Sequence, residues 1–287
     1  MQFDILAFAD YSGARHANLQ KKHIVLAQQD SCEPVQVYQG LTRATLHQSI
    51  RNLLLESSEK RRRVFFGFDF NYSFPDGFYQ VLVEESWHDW QQLLDLLTNG
   101  TDHIPPLSQY PRQWALEINL IISRKLGFTA GPFWGPGFVQ NKNPHFPHDQ
   151  NNFSARRLVE RAMPRMKPVY QIGGIGAGGF QALYGIRYLA GLRNFCFEKQ
   201  ILLHCWPFDG WKPPEDSHVL IEIYPGFYNQ GTKSDHNDAV SCVNWFKSRL
   251  TQNQFSRLFN PPLSEQAQSV VRREGWIPGI PPKNIST

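Results

Sequence analysis

The chain has 287 residues, of which 41% are hydrophobic and 14% aromatic, and it carries a formal net charge of +4 at pH 7. This is enough apolar material for one large domain or two small ones, while the small charge excludes any argument for nucleic-acid binding from net charge. No run of eighteen apolar residues occurs and the first ten residues contain no basic one, so we expect neither a membrane span nor a secretory signal, and a cytoplasmic location.

Three extended runs open the chain, at 3–9, 22–28 and 34–40, and loops of hairpin length between them predict an antiparallel meander. A helix is predicted over about 43–58, with Thr42 as its N-cap, because its apolar residues keep helical spacing. The following segment VFFGFDF is apolar on both alternating faces, as a central parallel strand must be. Since crossover connections are right-handed, we expect this strand beside the first, with the two C-terminal ends adjacent.

The rest of the chain predicts a helical segment followed by two more strands. Residues 76–170 are interpreted as a mainly helical insertion, with helices near 86–98 and 111–126. Strands are predicted at 201–208 and 219–225, then a helix at about 235–250, and residues 251–287 form a C-terminal extension. The whole chain, 1–287, is therefore interpreted as a single α/β domain with an insertion.

Two of the predicted strands end in an aspartate that is followed by an aromatic residue and, soon after, a serine. Asp10 precedes Ser12, and Asp69 precedes Ser73. Ligands of open α/β sheets bind outside the carboxyl ends of the strands, so Asp10 and Asp69 should face one crevice. Close carboxylates repel each other unless a proton or a cation offsets the charge, and a divalent metal is the natural cation.

Three further acids are candidates for the same crevice. Glu222 lies within an apolar strand, where an unpaired charge would cost several kcal/mol, roughly, and it therefore needs a partner. Asp235 and Asp238 fall in the first turn of a helix, from which one of them could reach the strand ends. Ordinary roles compete: turn formation for Asp10 and Asp69, an arginine partner for Glu222, and the helix dipole, worth ~0.3 to 1 kcal/mol, for the helix acids.

Besides the strand-end acids Asp10 and Asp69, the chain contains the segments GPFWGP (131–136), RAMPRMKPVYQIGGIGAGG (161–179), WPF (206–208), EIYP (222–225) and DxxDA (235–239). Through these residues and segments, over about 5–245, the chain resembles the DUF429 group of bacterial proteins, a functionally uncharacterised group of the ribonuclease-H-like superfamily. The resemblance implies a mixed sheet of five strands, an antiparallel meander plus parallel strands, flanked by helices. It also implies that Asp10, Asp69, Glu222 and either Asp238 or Asp235 bind two Mg²⁺ or Mn²⁺ ions, ~3.5 to 4 Å apart, that activate a water for phosphodiester cleavage.

The leading hypothesis is therefore a metal-dependent phosphodiester hydrolase of the nuclease kind, acting on nucleic acid or a nucleotide. Its catalytic residues would be Asp10, Asp69, Glu222 and Asp238. One alternative is a nucleotide-binding ATPase-like protein, since DYSGA, which includes Ser12, resembles the phosphate-binding first hairpin of actin-like and sugar-kinase ATPases. Another is a catalytically inactive scaffold. The oligomeric state is left open.

A glycine-rich segment offers a competing signal. Gly174, Gly176 and Gly179 spell GxGxxG before a predicted helix, which superficially matches a dinucleotide-binding loop. The next strand-end acid, Asp209, comes about 30 residues after the last glycine rather than the ~20 expected for a ribose-binding acid. Free N–H groups at a helix start can still bind a phosphate, so Gly174 and Gly176 join Ser12 as candidate phosphate-binding residues.

Two polar segments carry further alternatives. The basic run within 156–167, which includes Arg157 and Arg161, fits either phosphate contacts or a solvated helix face. His145 and His148 have the residue type of zinc ligands, but no second pair at metal-finger spacing accompanies them, so we expect a solvated loop there.

Overall fold

The structure is a computed structural model that describes residues 2–31, 33–138, 153–174, 176–252, 254–283 and 285. The chain divides into two compact units. The first unit comprises Met1–Phe70, Gly191–Pro262 and Trp276–Pro281, and the second comprises Asn71–Ala190, Leu263–Gly275 and Pro282–Thr287. The boundaries of the insertion and of the C-terminal extension stay predictions.

The strands of the described residues are β1 (Ile5–Asp10), β2 (Val25–Asp30), β3 (Gln36–Tyr38), β4 (Val64–Phe68), β5 (Leu203–Cys205) and β6 (His218–Glu222). The helices are α1 (Ala17–His23), α2 (Arg43–Glu59), α3 (Phe78–Val83), α4 (Trp90–Asn99), α5 (Pro111–Leu126), α6 (Leu158–Ala162), α7 (Gly179–Glu198), α8 (Pro225–Tyr228), α9 (Asp235–Thr251), α10 (Phe255–Leu258) and α11 (Glu265–Glu274). In the described residues, no helix combines the length and the apolar character needed to cross a membrane.

All six strands form one mixed sheet in the order β3-β2-β1-β4-β6-β5. β2 pairs antiparallel with both β1 and β3, whereas β1, β4, β6 and β5 run parallel to one another. The α/β class and the mixed sheet are thereby confirmed. The sheet has one strand more than the five that the family resemblance implies, because the three-residue β5 pairs with the outer side of β6.

The centre of the sheet is the parallel pair β1 and β4, as predicted. Every residue of both strands is buried, which is why their sequences are apolar on both faces. The register runs from Ile5 opposite Val64 to Ala9 opposite Phe68. This register brings the C-terminal ends of the two strands side by side.

Several helices were not predicted, among them α1, α8, α10 and α11. α1 occupies the stretch between β1 and β2, where a loop of hairpin length was expected. Gln20 is its one buried residue, so the segment ANLQKKH lacks the apolar periodicity by which an amphipathic helix is recognised. The Gln20 Oε1 accepts a hydrogen bond from the Arg43 backbone N–H at 3.1 Å, which connects α1 to the start of α2.

Helix α9 packs against β1 and β2. The Phe246 ring stacks on Phe8 at 4.8 Å between centroids and meets Phe65 edge-on at 5.0 Å. All three side chains are buried, and each contributes about 1.5 to 3 kcal/mol by leaving water. The apolar face of α9 is therefore fixed on the sheet, which determines where the polar ends of the helix lie.

The second unit has a core of aromatic rings and a buried ionic network. Phe133 and Tyr170 lie 5.4 Å apart, edge to face. The Arg157 Nε donates to Glu160 Oε1 at 2.8 Å, and both side chains are fully buried. The Arg157 Nη1 also donates to the Glu274 carbonyl at 3.0 Å. The Arg157 guanidinium therefore connects buried groups inside this unit.

Candidate acidic site at the strand ends

Three acids stand at the same end of three adjacent strands in the first unit. Asp10 is the last residue of β1, Asp69 directly follows β4, and Glu222 is the last residue of β6. The Asp69 backbone N–H donates to the Ala9 carbonyl at 3.1 Å, and Phe68 lies opposite Glu222. Because all three strands run parallel, their carboxyl ends form one acidic edge.

Helix α9 adds two more acids. Ser234 caps its start, since the Ser234 hydroxyl accepts from the Asn237 N–H at 3.1 Å, and Asp235 and Asp238 both lie in the first turn. The Asp238 Oδ1 accepts from Asn229 Nδ2 at 2.6 Å. The cap thus determines where the helix begins and, with it, which acids lie in its first turn.

Asp235 has a different neighbour from Asp238. Its Oδ2 lies 2.9 Å from His23 Nδ1, and both side chains are well exposed, at 40% for Asp235 and 53% for His23. A surface pair of this kind contributes only about 0 to 1 kcal/mol. Asp235 therefore has a surface partner, whereas Asp238 is half-buried and held by an amide.

Burial and neighbouring charges raise the pKa of Asp10 to about 9. Burial is the largest cause, since the residue is only 8% exposed, and the charges of Asp69, Asp235 and Asp238 add to it in that order. The Tyr11 backbone N–H acts in the opposite direction by hydrogen bonding the carboxylate. Asp10 consequently holds a proton at pH 7.

The pKa of Asp69 is raised in the same way, to about 8. Burial is again the largest cause although the side chain is only half-buried, and the charges of Asp238 and Glu222 follow. The acids of the two helical and three strand positions are thus linked by repulsion. All five acids that the sequence singled out therefore belong to this network of charges.

Two further groups face the acids and were not singled out from the sequence. Cys242 lies one helical turn after Asp238 and is buried, and burial together with the charges of Asp69, Asp10 and Asp238 raises its pKa well above the ordinary value. Burial and the charges of Cys242, Glu222 and Asp69 likewise raise the pKa of Tyr228, whose hydroxyl donates to the Pro278 carbonyl at 2.9 Å. The four-residue spacing of Asp238 and Cys242 was a usable signal for the thiol.

Ser12 has a structural partner in the turn after β1. Its hydroxyl accepts from the Ala14 N–H at 3.1 Å, and the residue is 8% exposed. Arg43 Nη1 donates to the carbonyls of Ser12 and Ala14, each at 2.8 Å. These contacts hold the turn that follows Asp10, and a phosphate-binding role for Ser12 stays a prediction.

Gly174 and Gly176 belong to the second unit, and their backbones explain why glycine stands there. Their φ angles are +93° and +73°, which side-chain-bearing residues rarely adopt. The adjoining Gly173 lies so close to another loop that a Cβ would sit 2.3 Å from the Pro136 carbonyl oxygen. Turn geometry and close packing account for this segment, and phosphate binding by Gly174 and Gly176 stays a prediction.

The basic run within 156–167 contains both buried and exposed residues. Arg157 of the basic run is buried against Glu160, so its interpretation as part of a solvated or phosphate-binding face is wrong. Arg161, one helical turn further, is exposed. His145 and His148 lie outside the described residues.

The residue types of the acids suit a divalent cation, but the arrangement of their side chains does not form a metal site. Carboxylate oxygens are the ligands that Mg²⁺ and Mn²⁺ prefer. Within the ranges that the structure describes, however, no three His, Cys, Asp or Glu side chains converge as a group that could hold a metal ion. The carboxylates therefore repel one another, but they are not arranged as the ligands of one ion would be.

Comparisons of the chain with protein-family models, with curated proteins and with solved structures found no match. Any inference about function therefore has to come from the positions and charges of the five acids.

Proposed function

We propose that this chain is a metal-dependent phosphodiester hydrolase of the nuclease kind. Asp10 and Asp69 would be the primary ligands of Mg²⁺ or Mn²⁺, with Glu222 and Asp238 completing the site. The observation that carries the proposal is the placement of Asp10, Asp69 and Glu222 at the same ends of three adjacent parallel strands, where burial and neighbouring charges raise the pKa values of Asp10 and Asp69. Perturbed acids gathered in one place are typical of functional sites. The resemblance to the ribonuclease-H-like superfamily, to which the DUF429 group belongs, implies the same chemistry.

The protons on Asp10 and Asp69 are central to this proposal. Both carboxyl groups hold a proton at pH 7, and a cation site needs them ionised, so binding should release protons to the solvent. A divalent cation held there would supply a water of lowered pKa and charge stabilisation for the leaving oxygen of a phosphodiester. The protein's own part is to hold the carboxylates on rigid strand ends.

Asp238 is the helix acid that we assign to the site. Its charge raises the pKa of both Asp10 and Asp69, whereas the charge of Asp235 acts only on Asp10 among these two. The Asn229 amide orients one oxygen of Asp238 and leaves the other for a ligand. Asp235, with His23 beside it on the surface, fits a peripheral role such as contact with the hydrated ion or the substrate.

The test of the site is calorimetric titration of the purified protein with Mn²⁺. We expect binding in the low millimolar range or tighter, with proton release seen as a dependence of the heat on the buffer's ionisation enthalpy. Asp10→Asn should abolish binding, because it removes a primary ligand. Asp216→Asn, which changes an exposed aspartate of the same unit, is the matched control. Unchanged Mn²⁺ binding by Asp10→Asn would contradict the role of Asp10.

The test of the activity is cleavage of short single- and double-stranded DNA and RNA in Mg²⁺ or Mn²⁺. We expect the wild-type protein to cleave at least one of them, and Asp69→Asn to lower the rate by about 100-fold or more, in proportion to the loss of an essential metal ligand. Stabilisation by ATP without polynucleotide cleavage would instead favour the nucleotide-binding alternative. Metal binding with neither result would contradict the hydrolase and favour a scaffold.

A further inference from the structure

A cavity lies in the first unit, at the opposite ends of β1 and α9 from the acids. Its volume is about 440 Å³, and its walls include Phe3, Asp4, Leu6, Gln29 and Lys247. Asp10 ends β1, whereas Asp4 precedes its first residue, and Lys247 lies twelve residues along α9 from Asp235. Twelve helical residues span roughly 18 Å, so this cavity is separate from the acidic site.

The two charged groups of the cavity come from different elements. Lys247 projects from α9 and is half-buried, and no ion pair joins it to a carboxylate among the residues that the structure describes. Asp4 stands at the start of β1, where its Oδ2 accepts from the Arg63 backbone N–H at 2.7 Å. One cation and one anion thus line the same space without contacting each other.

Gln29 supplies a second polar feature. It is 5% exposed, and its Nε2 donates to the Glu33 carbonyl at 2.7 Å, which assigns the other amide atom as the acceptor. That acceptor, Oε1, is buried and has no hydrogen-bond partner in the described residues. An unsatisfied buried acceptor costs about 1 to 3 kcal/mol, so a donor that approached it would be bound favourably.

The remaining walls are apolar. Leu6 is the cross-strand partner of Gln29, so the two side chains share one face of the sheet, the face that Phe8 presents to α9. Phe3 and Leu6 are both buried residues that line the cavity. Apolar walls with a few placed polar groups, and a volume within about 300 to 1,000 Å³, are usual for small-ligand sites.

We propose that this cavity binds a small zwitterion, an α-amino acid with an apolar side chain. The carboxylate would pair with Lys247, the ammonium group would donate to Asp4 and to Gln29, and the side chain would lie against Phe3 and Leu6. A ligand with only an anionic group would satisfy Lys247 alone, and one with only a cationic group would leave Lys247 unpaired. A small zwitterion can pair with both Lys247 and Asp4 and can also donate to the Gln29 Oε1.

The experiment is calorimetric titration of the full chain with L-leucine, L-methionine and L-phenylalanine, compared with two analogues that each lack one charge. We expect at least one amino acid to bind. Its amide, which lacks the carboxylate, and its N-acetyl derivative, which lacks the ammonium group, should each bind at least about tenfold more weakly, since each loses one charge-assisted contact. No binding by any of the three amino acids, or equal binding by either analogue, would overturn the proposal.

Two variants assign the contacts. Lys247→Met and Gln29→Met keep most of the side-chain volume, and each should lower the affinity at least about tenfold, because each removes a polar group that would contact the ligand. Lys247→Met should leave Tm unchanged, whereas Gln29→Met also removes the hydrogen bond to the Glu33 carbonyl and should lower Tm. Lys199→Met, at an exposed site, and Gln28→Met, on the other face of β2, are the matched controls and should bind as the wild type does. Wild-type affinity in Lys247→Met would show that the amino acid binds without Lys247 and would contradict the proposal.

Discussion

Asp10 and Asp69 occupy positions that disfavour the charged form of their own side chains. Burial is the largest cause of the raised pKa of each, and neighbouring carboxylates increase the shift. In the free protein the charge is avoided by binding protons, which is the usual response of a buried carboxyl group without a counter-ion. When these carboxyl groups lose their protons, the resulting negative charges repel the neighbouring carboxylates.

This repulsion predicts the pH dependence of stability. Both aspartates titrate near 3.8 when unfolded but at about 9 and about 8 when folded. The stability they contribute is present below the unfolded pKa and is lost as the pH rises through the folded values, because the folded state must then release protons. We expect the free energy of unfolding to fall between about pH 7 and pH 9, measured by denaturant titration with a chelator.

The matched variants isolate the source of that slope. Asp69→Asn should be more stable than the wild type at the upper end of this range and should show a flatter slope, whereas Asp216→Asn should keep the wild-type slope. Burial also raises the pKa of Glu274 to about 8, but that contribution is the same in all three proteins. Buried histidines such as His47 and His218 have lowered pKa values and act only below this range. An unchanged slope in Asp69→Asn would refute the explanation.

Much of the site could be predicted from the sequence because its signal is local. An aspartate at the end of an apolar strand is visible at Asp10 and Asp69, and parallel strands of one sheet bring such ends together. His23 and Asn229 were not predictable in the same way. The contact between His23 and Asp235 joins residues 212 positions apart, and no pattern in either segment indicates the other.

At the scale of elements, β4 carries Asp69 and is held close to β6 by a glycine. A Cβ at Gly67 would sit 2.5 Å from the Ile221 carbonyl oxygen and 3.1 Å from side-chain atoms of Ile221 and Ile223. Backbone cannot move aside easily in the centre of a sheet, so an added methyl group must push the two strands apart. The spacing of Asp69 and Glu222 depends on this approach.

We expect Gly67→Ala to lower the free energy of unfolding by about 1 to 3 kcal/mol, as overpacking in a core does. It should also weaken Mn²⁺ binding, because the acids at the ends of β4 and β6 would separate. Urea denaturation and calorimetry measure the two effects. Gly231→Ala is the control, since the nearest atom to its Cβ would be 3.6 Å away, and its stability should change by less than about 0.5 kcal/mol. Wild-type stability of Gly67→Ala would contradict this account of the strand pair.

Elements were predictable where burial leaves a periodic pattern. α2 and its N-cap Thr42 were expected from apolar spacing and are confirmed, with the Thr42 hydroxyl accepting from the Thr45 N–H at 3.2 Å. α1 was missed because Gln20 is its one buried residue. β5 is shorter than the predicted strand at 201–208, since its pairing with β6 stops at Cys205, just before Trp206 and Pro207.

At the scale of the molecule, the two compact units depend on different kinds of buried polar group. All five acids lie in the first unit, whereas the second contains the buried pair of Arg157 and Glu160. The sequence could not reveal that pair, because a run of basic residues is the same whether one member is buried or all are solvated. The pattern of charged residues in a sequence shows where they occur, but whether one of them is buried depends on contacts that only the folded chain makes.

Breaking the buried pair should destabilise the protein without disturbing the acidic strand ends. Arg157→Met leaves the buried Glu160 carboxylate without its arginine counter-ion, although the Asn71 amide still donates to it at 2.9 Å, and we expect this to lower the free energy of unfolding by about 3 to 5 kcal/mol in urea denaturation. Mn²⁺ binding, measured where the variant is still folded, should remain. Arg161→Met, at the exposed position one helical turn further, should be nearly neutral. Equal stability of the two variants would refute the structural role of Arg157.

The raised pKa values of the acidic edge also bear on how this protein would change under artificial selection. Replacing Asp10 or Asp69 by asparagine removes a repulsion without altering the shape of the strand ends, so it should be stabilising at and above neutral pH. A library screened only for heat resistance or expression yield would therefore accumulate neutral residues at these positions. The most robust descendants would be the ones that had lost the acids, and an engineering campaign should screen for cation binding in every round.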